Sequence, residues 1–112
     1  MTLEEFKKKV KEQPTELSFS ETMEVVDSNF EFTPTAFTNG ELQNAAGQNS
    51  GSCKLFAFAK KQGFNKEETL ACFGDYYFEE VLKDVNGGGH QNIRNFIKTG
   101  FEGLSFEGEP LK

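Results

Sequence analysis

The stretch "GQNSGSCKLFAFAKKQG", residues 47–63, holds the most reactive type of side chain in the sequence. Cys53 ends a run of small polar residues and stands where an apolar, aromatic segment predicts the start of a helix. The positive end of a helix dipole lowers the pKa of a thiol in the first helical turn and favours the nucleophilic thiolate. The position of Cys53 therefore raises the hypothesis of a cysteine nucleophile.

Few other groups could assist such a nucleophile. Papain-like enzymes activate sulfur with histidine and asparagine, and an upstream glutamine amide helps to hold the oxyanion. Here His90, the only histidine, would be the general base, Asn92 would orient it, and Gln48 would stand at the oxyanion. The string "GSCKLFAF" is similar to the papain-type "GSCWAF", but the chain is far smaller than that family and has no second lobe to complete its cleft.

The alternative for Cys53 is a structural role. Free cysteine is among the most buried residue types and packs as a small hydrophobe. We favour this interpretation, because the papain-type similarity covers only a few residues and the sequence does not fix distances between side chains. Cys72, between Leu70 and Phe73 in a predicted helix, is assigned to the core for the same reason.

Side-chain amides are dense in two segments. The first contains Asn39, Gln43, Asn44, Gln48 and Asn49, and the second contains His90, Gln91, Asn92 and Asn95. Amides beside glycine often satisfy only the backbone of turns. If the two segments meet, they instead predict a neutral polar pocket for a small polar ligand or a peptide. The ligand-binding residues expected there are Asn39, Asn44, Asn49, Ser52 and Arg94, with Thr35 and Cys53 beside them.

The sequence predicts no metal site and no cofactor. One histidine and two cysteines 19 positions apart lack the paired spacing of structural zinc, and the scattered carboxylates match no EF-hand loop. The glycine run at 86–89 precedes a predicted helix with Arg94 one turn on, which could expose amides to an anion. No strand precedes this run and no Lys–Ser/Thr pair follows it, so a flexible connector is the favoured interpretation.

Composition limits the architecture and the partners. A chain of 112 residues predicts one domain, residues 1–112, and 13 Phe with no Trp indicate a core built largely from benzyl rings. The protein is acidic, and its net charge of −6 argues against nucleic acid as a partner, since it offers no counterion release from a phosphate backbone. No apolar run reaches the roughly 20 residues of a membrane span, so no membrane partner is expected.

Cysteine content and the N-terminal residues bear on location. Two cysteines are too few for a disulfide framework, and the first residues lack the charged, apolar and small-residue regions of a signal peptide. We therefore expect a cytoplasmic protein. Export by a machine that reads an uncleaved N-terminus is compatible with the same residues.

Hydrophobic periodicity and capping signals predict about six short helices. Their expected limits are Thr2 to Pro14, Ser18 or Ser20 to Asn29 or Phe30, Ser52 to Gly63, Asn65 to Gly74, Asp75 to Leu82, and His90 to Gly100. The third helix is apolar nearly all round, so we expect it at the centre of the core.

A small antiparallel sheet or hairpin is expected beside these helices, which makes the fold a single small α+β domain. The string "FEFTPTAF", residues 30–37, predicts a strand, and Asn39 and Gly40 fit the two central positions of a type I′ turn with "ELQNAA" returning. Pro34 places this hairpin at an edge or makes it irregular. Residues 104–106 predict a short strand, and their "LSF" repeats residues 17–19, which hints that these two segments pair.

The chain resembles the HopJ type III effector family in the strings "TPTAFTNGELQNAAGQNSGSCKLFAFAK" and "HQNIRNFIKTGFEGLSFEGEPL", and also in "MTLEEFKKKV" and "ACFGDYYFEEVL". These strings cover almost the whole chain. The family takes its name from a protein that plant-pathogenic bacteria inject into host cells, and it has members in bacteria without that lifestyle. The resemblance implies a small, soluble, single-domain bacterial protein, and it brings no established activity, catalytic residue or cofactor to any position here.

Two functions from different classes follow from the sequence. The first is a non-enzymatic binding or interaction module whose partner is a protein, a peptide or a small polar ligand, and which a type III system would secrete if it acts as an effector. The second is a cysteine-dependent hydrolase or transferase that uses Cys53 and His90. We favour the first.

Overall fold

Six helices make up about half of the structure, a computed structural model that describes residues 1–112. They are α1 (Leu3–Glu12), α2 (Phe19–Asn29), α3 (Ser50–Gln62), α4 (Lys66–Ala71), a π-helix (Tyr76–Val81) and α5 (Gln91–Thr99). Short 3₁₀ helices lie at Pro14–Glu16 and Gly100–Gly103. The order of the helices confirms the prediction, although the fifth is of the π type.

Three short strands form one antiparallel sheet in the order β2-β1-β3. They are β1 (Phe37–Asn39), β2 (Leu42–Asn44) and β3 (Leu104–Phe106). In the central strand, Thr38 pairs with Gln43 on one side and with Ser105 on the other. Helices and sheet together confirm the α+β class, and the strand predicted at 104–106 is present.

The hairpin is shifted by one residue from the prediction. Its two-residue turn is Gly40–Glu41 rather than Asn39–Gly40, because Asn39 pairs with Leu42 across the hairpin. Of the two turn residues only Gly40 has a positive φ, 63°, which is the pattern of a type II′ turn rather than type I′. The shift keeps Asn39 inside β1, where its side chain is completely buried.

Two other sheet predictions are wrong. In the segment 30–37 only Phe37 belongs to the sheet, since Pro34 has no N–H for a ladder, and Phe32 makes just an isolated bridge to Leu111. The segment 17–19 does not pair with 104–106, because Ser18 is the N-cap of α2 and its side chain accepts a hydrogen bond from the helix. β3 pairs with β1 instead.

Helix α3 lies at the centre of the core, as predicted. Leu55, Phe56, Phe58 and Ala59 have no exposed surface. The aromatic rings are in contact across elements, and the centroids of Phe56 and Phe96, a residue of α5, are 4.8 Å apart. The fully buried phenylalanines are Phe6, Phe37, Phe56, Phe58 and Phe96. A core of benzyl rings therefore joins the helices to the sheet.

The helices begin in two different ways. α1, α2 and α4 each have a complete capping box, formed by Thr2 with Glu5, Ser18 with Glu21, and Asn65 with Glu68. α3 and α5 begin after Asn49 and His90, which have left-handed backbones, φ 50° and 54°, and make no side-chain cap. We also expected Asp75 to cap the fifth helix, and this is wrong: the residue has helical dihedrals, and its side chain makes no capping hydrogen bond.

Candidate functional site

A cleft of about 440 Å³ lies where the first turns of α3 and α5 face each other, and we call it the amide cleft. The two amide-rich segments of the sequence meet here. One wall is polar and consists of Asn49, Ser52, His90, Gln91 and Asn92. The facing wall is aromatic and consists of Phe19, Phe73 and Tyr76.

A cluster of hydrogen-bonded asparagines forms the floor of the polar wall. Asn92 Nδ2 donates to Asn44 Oδ1 at 3.1 Å, and Asn44 Nδ2 donates to Asn92 Oδ1 at 3.3 Å. Asn39 Nδ2 donates to the backbone oxygen of Asn92 at 2.7 Å, and Asn49 Nδ2 donates to Asn44 Oδ1 at 2.6 Å. These bonds tie both strands of the hairpin to the starts of α3 and α5.

The cluster is an interior structure. Asn39, Asn44 and Asn92 are 0%, 3% and 6% exposed. Hydrogen bonds are stronger in such a low-dielectric interior, so the bonded amides fix the geometry of the groups around them. One acceptor, Asn39 Oδ1, is buried without a partner.

The two non-glycine residues with left-handed backbones both line the amide cleft. Asn49 and His90 are the only non-glycine residues with positive φ, and each immediately precedes the first turn of its helix. The first N–H groups of a helix have no partner within the helix, and here no N-cap side chain satisfies them. The His90 ring is held by Glu80, whose Oε1 lies 2.9 Å from Nε2, and it packs on Tyr76 with 5.2 Å between centroids.

The aromatic wall was not expected from the sequence. Phe19 packs edge-on against Tyr76 at 5.4 Å and stacks with Phe73 at 6.1 Å. Its ring passes so close to Gly51 that a Cβ atom at that position would lie 2.7 Å from Phe19 Cζ. Gly51, at the start of α3, is the one sequence feature that could have signalled a close approach, but nothing in the sequence identifies Phe19 as the approaching residue.

Cys53 lies beneath the surface and does not line the cleft. The side chain is 1% exposed, and its Sγ–H donates to the backbone oxygen of Thr35 at 3.7 Å. Burial raises the pKa of Cys53 from 9.0 to about 11, so the thiol is neutral at physiological pH. This environment agrees with a packed residue and opposes the activation of a thiolate. Cys72, with no exposed surface, has its pKa raised by burial to about 12.

Two other candidate residues lie away from the amide cleft. Gln48 belongs to a separate hollow beside the hairpin, and its Oε1 accepts a hydrogen bond from Ala45 N at 3.0 Å. Arg94 donates to the backbone oxygens of Asp84 and Gly89, at 2.7 and 2.5 Å, and lines a different hollow. Neither side chain is directed to the site that the sequence suggested for it.

The remaining candidates divide between the cleft and its floor. Asn49 and Ser52 line the cleft, whereas Asn39 and Asn44 support it from below. Asn92 does both, but its side chain bonds to other asparagines and makes no hydrogen bond with His90. The Thr35 side chain bonds to the Thr33 backbone oxygen instead of facing the cleft.

The structure contains neither a metal-ligand cluster nor a helix that could cross a membrane. No cluster of three or more His, Cys, Asp or Glu side chains could hold a metal ion. None of the helices combines the length and the apolar character that crossing a bilayer requires.

The fold and the cleft define a small α+β domain with a polar site between two helix starts. The chain belongs to the HopJ type III effector protein family, whose model matches residues 3–111. It is also similar to the crystal structure of VPA0580, a protein of unknown function, with 48% sequence identity and a TM-score of 0.98 over 100% of this chain and 93% of that chain. No curated protein matches this chain.

Proposed function

We propose that this protein is a non-enzymatic binding module whose amide cleft takes a neutral ligand with amide groups, such as a short peptide segment. The observation that carries the proposal is the pairing of a polar and an aromatic wall in one cleft without a charged side chain of Asp, Glu, Lys or Arg. Its volume of about 440 Å³ is in the range of ligand sites in proteins.

The two walls offer complementary contacts. The free N–H groups at the starts of α3 and α5 can donate to carbonyl oxygens of a ligand, and the Ser52 hydroxyl and Gln91 amide can both donate and accept. Phe19 and Tyr76 offer aromatic faces on which an apolar side chain can pack. A peptide carries backbone amide groups and apolar side chains within one residue of each other.

The amide cleft is held in one conformation before any ligand binds, and this preorganisation supports a binding role. The asparagine cluster holds both helix starts in place before any ligand arrives, so little ordering remains to be done on association. The left-handed backbones at Asn49 and His90 also support a functional site here, since unusual conformations of this kind concentrate at functional sites. The burial and raised pKa of Cys53 weigh against the alternative of a cysteine hydrolase.

A titration followed by NMR tests the proposal. We expect the N-acetyl amide of phenylalanine, a neutral probe, to shift the backbone amide signals of Ser52, Gln91 and Asn92 in the ¹⁵N-labelled protein. The N-acetyl amide of aspartate should bind more weakly, because the cleft offers no cation to its carboxylate.

A matched pair of variants locates the binding. Ser52→Leu places a bulky side chain in the cleft and should abolish the shifts, whereas Ser50→Leu makes the same change in the same helical turn outside the lining and should keep them. Circular dichroism confirms that both variants are folded. The proposal fails if the neutral probe shifts nothing at millimolar concentration, or if Ser52→Leu binds it as the wild type does.

Membership of the HopJ family supports a second, separate proposal, that the protein is exported by a type III secretion system as an effector. A fusion of the full chain to an adenylate cyclase reporter tests it. Cyclic AMP should rise in host cells exposed to bacteria with an intact secretion system and not with a secretion-defective strain. Equal signals from the two strains, or none from either, contradict export.

A further inference from the structure

The aromatic wall of the amide cleft also belongs to a neighbouring depression. Phe19, Phe73 and Tyr76 line both the cleft and this depression, which has a volume of about 300 Å³ and which we call the acidic pocket. Its other lining residues are Ser18, Ser20, Asp75 and Glu80. The two depressions therefore adjoin each other at the same rings, and the proposed function uses only one of them.

The charged side chains of the acidic pocket are both negative. Asp75 and Glu80 are its only charged residues, and both are exposed. Asp75 forms no ion pair, and its side chain does not cap the helix that follows it. Glu80 contacts His90 through one carboxylate oxygen and has no lysine or arginine within ion-pair distance. The pocket thus offers carboxylate oxygens that have no partner.

Cations on the adjacent elements do not neutralise these carboxylates. Lys9 reaches the start of α2, but it pairs there with Glu21 at 2.7 Å, and Lys83 pairs with Glu79 of the π-helix. The first N–H groups of α2, which would repel a cation, are covered by its capping box. The net charge of the whole chain is −6, so its field adds to the attraction of a cation.

The rings provide an apolar surface beside the carboxylates. Tyr76 is 42% exposed and is the only aromatic residue among the exposed large hydrophobic residues. Its ring centroid lies 5.4 Å from that of Phe19, so the two rings form one surface from the cleft to the pocket. Lysine and arginine side chains bury their methylene stems along such surfaces and keep the charged head at a polar group. The pocket therefore matches a side chain with an apolar stem and a cationic head.

We propose that the acidic pocket takes a lysine or arginine side chain of the peptide whose neutral residue occupies the amide cleft. The stem packs on Phe19 and Tyr76, and the cationic head pairs with Asp75 and Glu80. This inference rests on the proposed function and specifies the class of peptide, a neutral residue directly beside a basic one. A second copy of the chain or an anionic membrane fits less well, because each brings further negative charge to an acidic protein.

Two dipeptides of equal stem length test the pocket. The acetylated and amidated dipeptide of phenylalanine and lysine is titrated into the ¹⁵N-labelled full chain, and the same dipeptide with norleucine in place of lysine is the neutral control. Both are made in both residue orders, so that the direction of the peptide does not decide the result. We expect the lysine dipeptide to bind about threefold to fivefold more tightly at low salt, and to shift the amide signals of Asp75 and Glu80.

A matched pair of variants separates the pocket from the overall charge. Asp75→Asn and Glu24→Gln each remove one negative charge at an exposed position, but only Asp75 lines the pocket. Asp75→Asn should lower the affinity for the lysine dipeptide about twofold to threefold and leave that for the norleucine dipeptide unchanged. Glu24→Gln should change neither affinity.

The outcomes distinguish this inference from the proposed function. If the lysine and norleucine dipeptides bind equally in both orders and shift Ser52 and Gln91, the proposed function stands and the preference for a basic neighbour is wrong. Equal losses in Asp75→Asn and Glu24→Gln would assign the preference to the overall charge and overturn the role of the pocket. If neither dipeptide binds at millimolar concentration, the proposed function is wrong and this inference is wrong with it.

Two further results would give the pocket another occupant and overturn the inference. One is self-association in sedimentation experiments that Asp75→Asn abolishes, which would assign the pocket to a second copy of the chain. The other is flotation with phosphatidylglycerol vesicles that depends on Asp75.

Discussion

The amide cleft and a second depression, lined by Leu82, Val85 and Ile97 and called here the aliphatic hollow, lie on either side of the first turn of α5. Gln91 lines both. They are built in opposite ways. Below the cleft, polar groups are buried and bonded to one another, as Asn39 and Asn44 are to Asn92. At the hollow, apolar groups are exposed, as Val85 is.

The difference indicates what each surface contributes to the molecule. Buried amides must be hydrogen-bonded, so the cleft is held by contacts between segments about 50 residues apart, such as Asn39 with Asn92. The exposed aliphatic groups make little contribution to folding. Substitutions under the cleft should therefore lower stability, and substitutions at the hollow should change stability little.

The largest effect is expected from removal of the central amide. Asn44→Ala leaves Asn92 Nδ2 and Asn49 Nδ2 without their acceptor, and we expect a loss of about 3 kcal/mol in the free energy of unfolding because unpaired buried polar groups are costly. Gln43→Ala, at the neighbouring exposed position of β2, is the matched control and should change it by less than about 0.5 kcal/mol. Denaturation in urea gives both values, and equal losses would refute an interior role of the cluster.

An intermediate effect is expected at alkaline pH and tests whether Cys53 belongs to the core or to the cleft. Both thiol pKa values are raised in the folded protein, to about 11 for Cys53 and about 12 for Cys72, against 9.0 as the ordinary value. The folded state therefore holds these protons more tightly, and its stability is complete below pH 9 and falls as pH rises toward 12. The expected slope is about 1.4 kcal/mol per pH unit for each thiol.

Other groups titrate in the same window, so the comparison is made between variants. Cys53→Ala should have a shallower decline above pH 9 than the wild type when denaturation is measured at each pH. Cys72→Ala, which removes the other buried thiol, is the matched comparison. If the decline of stability with pH is unchanged in Cys53→Ala, the Cys53 thiol of the wild type ionises freely in the folded protein.

The smallest effect is expected at the hollow. Leu82→Ser combined with Val85→Ser should change the free energy of unfolding by less than about 0.5 kcal/mol per residue, since both side chains are open to solvent. The matched core change, Val81→Ser at a position 2% exposed, should cost several times more. A large loss in the surface variant would show that Leu82 and Val85 belong to the core and not to the exposed surface.

The sequence predicts those parts of the fold that depend on local signals. Capping boxes such as Ser18 with Glu21 locate the helix starts, and the apolar run of α3 identifies the central helix. The register of the hairpin could not be predicted, because Gly40 suits either turn type and the choice depends on burying Asn39. The pairing of β1 with β3 links distant segments, and no local pattern encodes it.

Of the amide cleft, only the polar wall could be predicted from the sequence. Dense amides indicated a polar pocket near Asn49 and Asn92, and these residues do line one cleft. The aromatic half was not predictable, since Phe19 fits the periodicity of an ordinary core residue and no pattern in the sequence brings Tyr76 to the start of α3. The direction of Arg94 depends on carbonyl groups of the glycine-rich loop, whose path the sequence leaves undetermined.

The two kinds of helix start have a consequence for the order in which the structure forms. α1, α2 and α4 carry in their own sequences the groups that satisfy their first N–H groups, so they can begin from local contacts. α3 and α5 begin after left-handed residues, Asn49 and His90, whose conformation the surrounding structure must impose. A folding chain therefore gains helices before it gains the amide cleft, which is completed only when the hairpin closes on both helix starts.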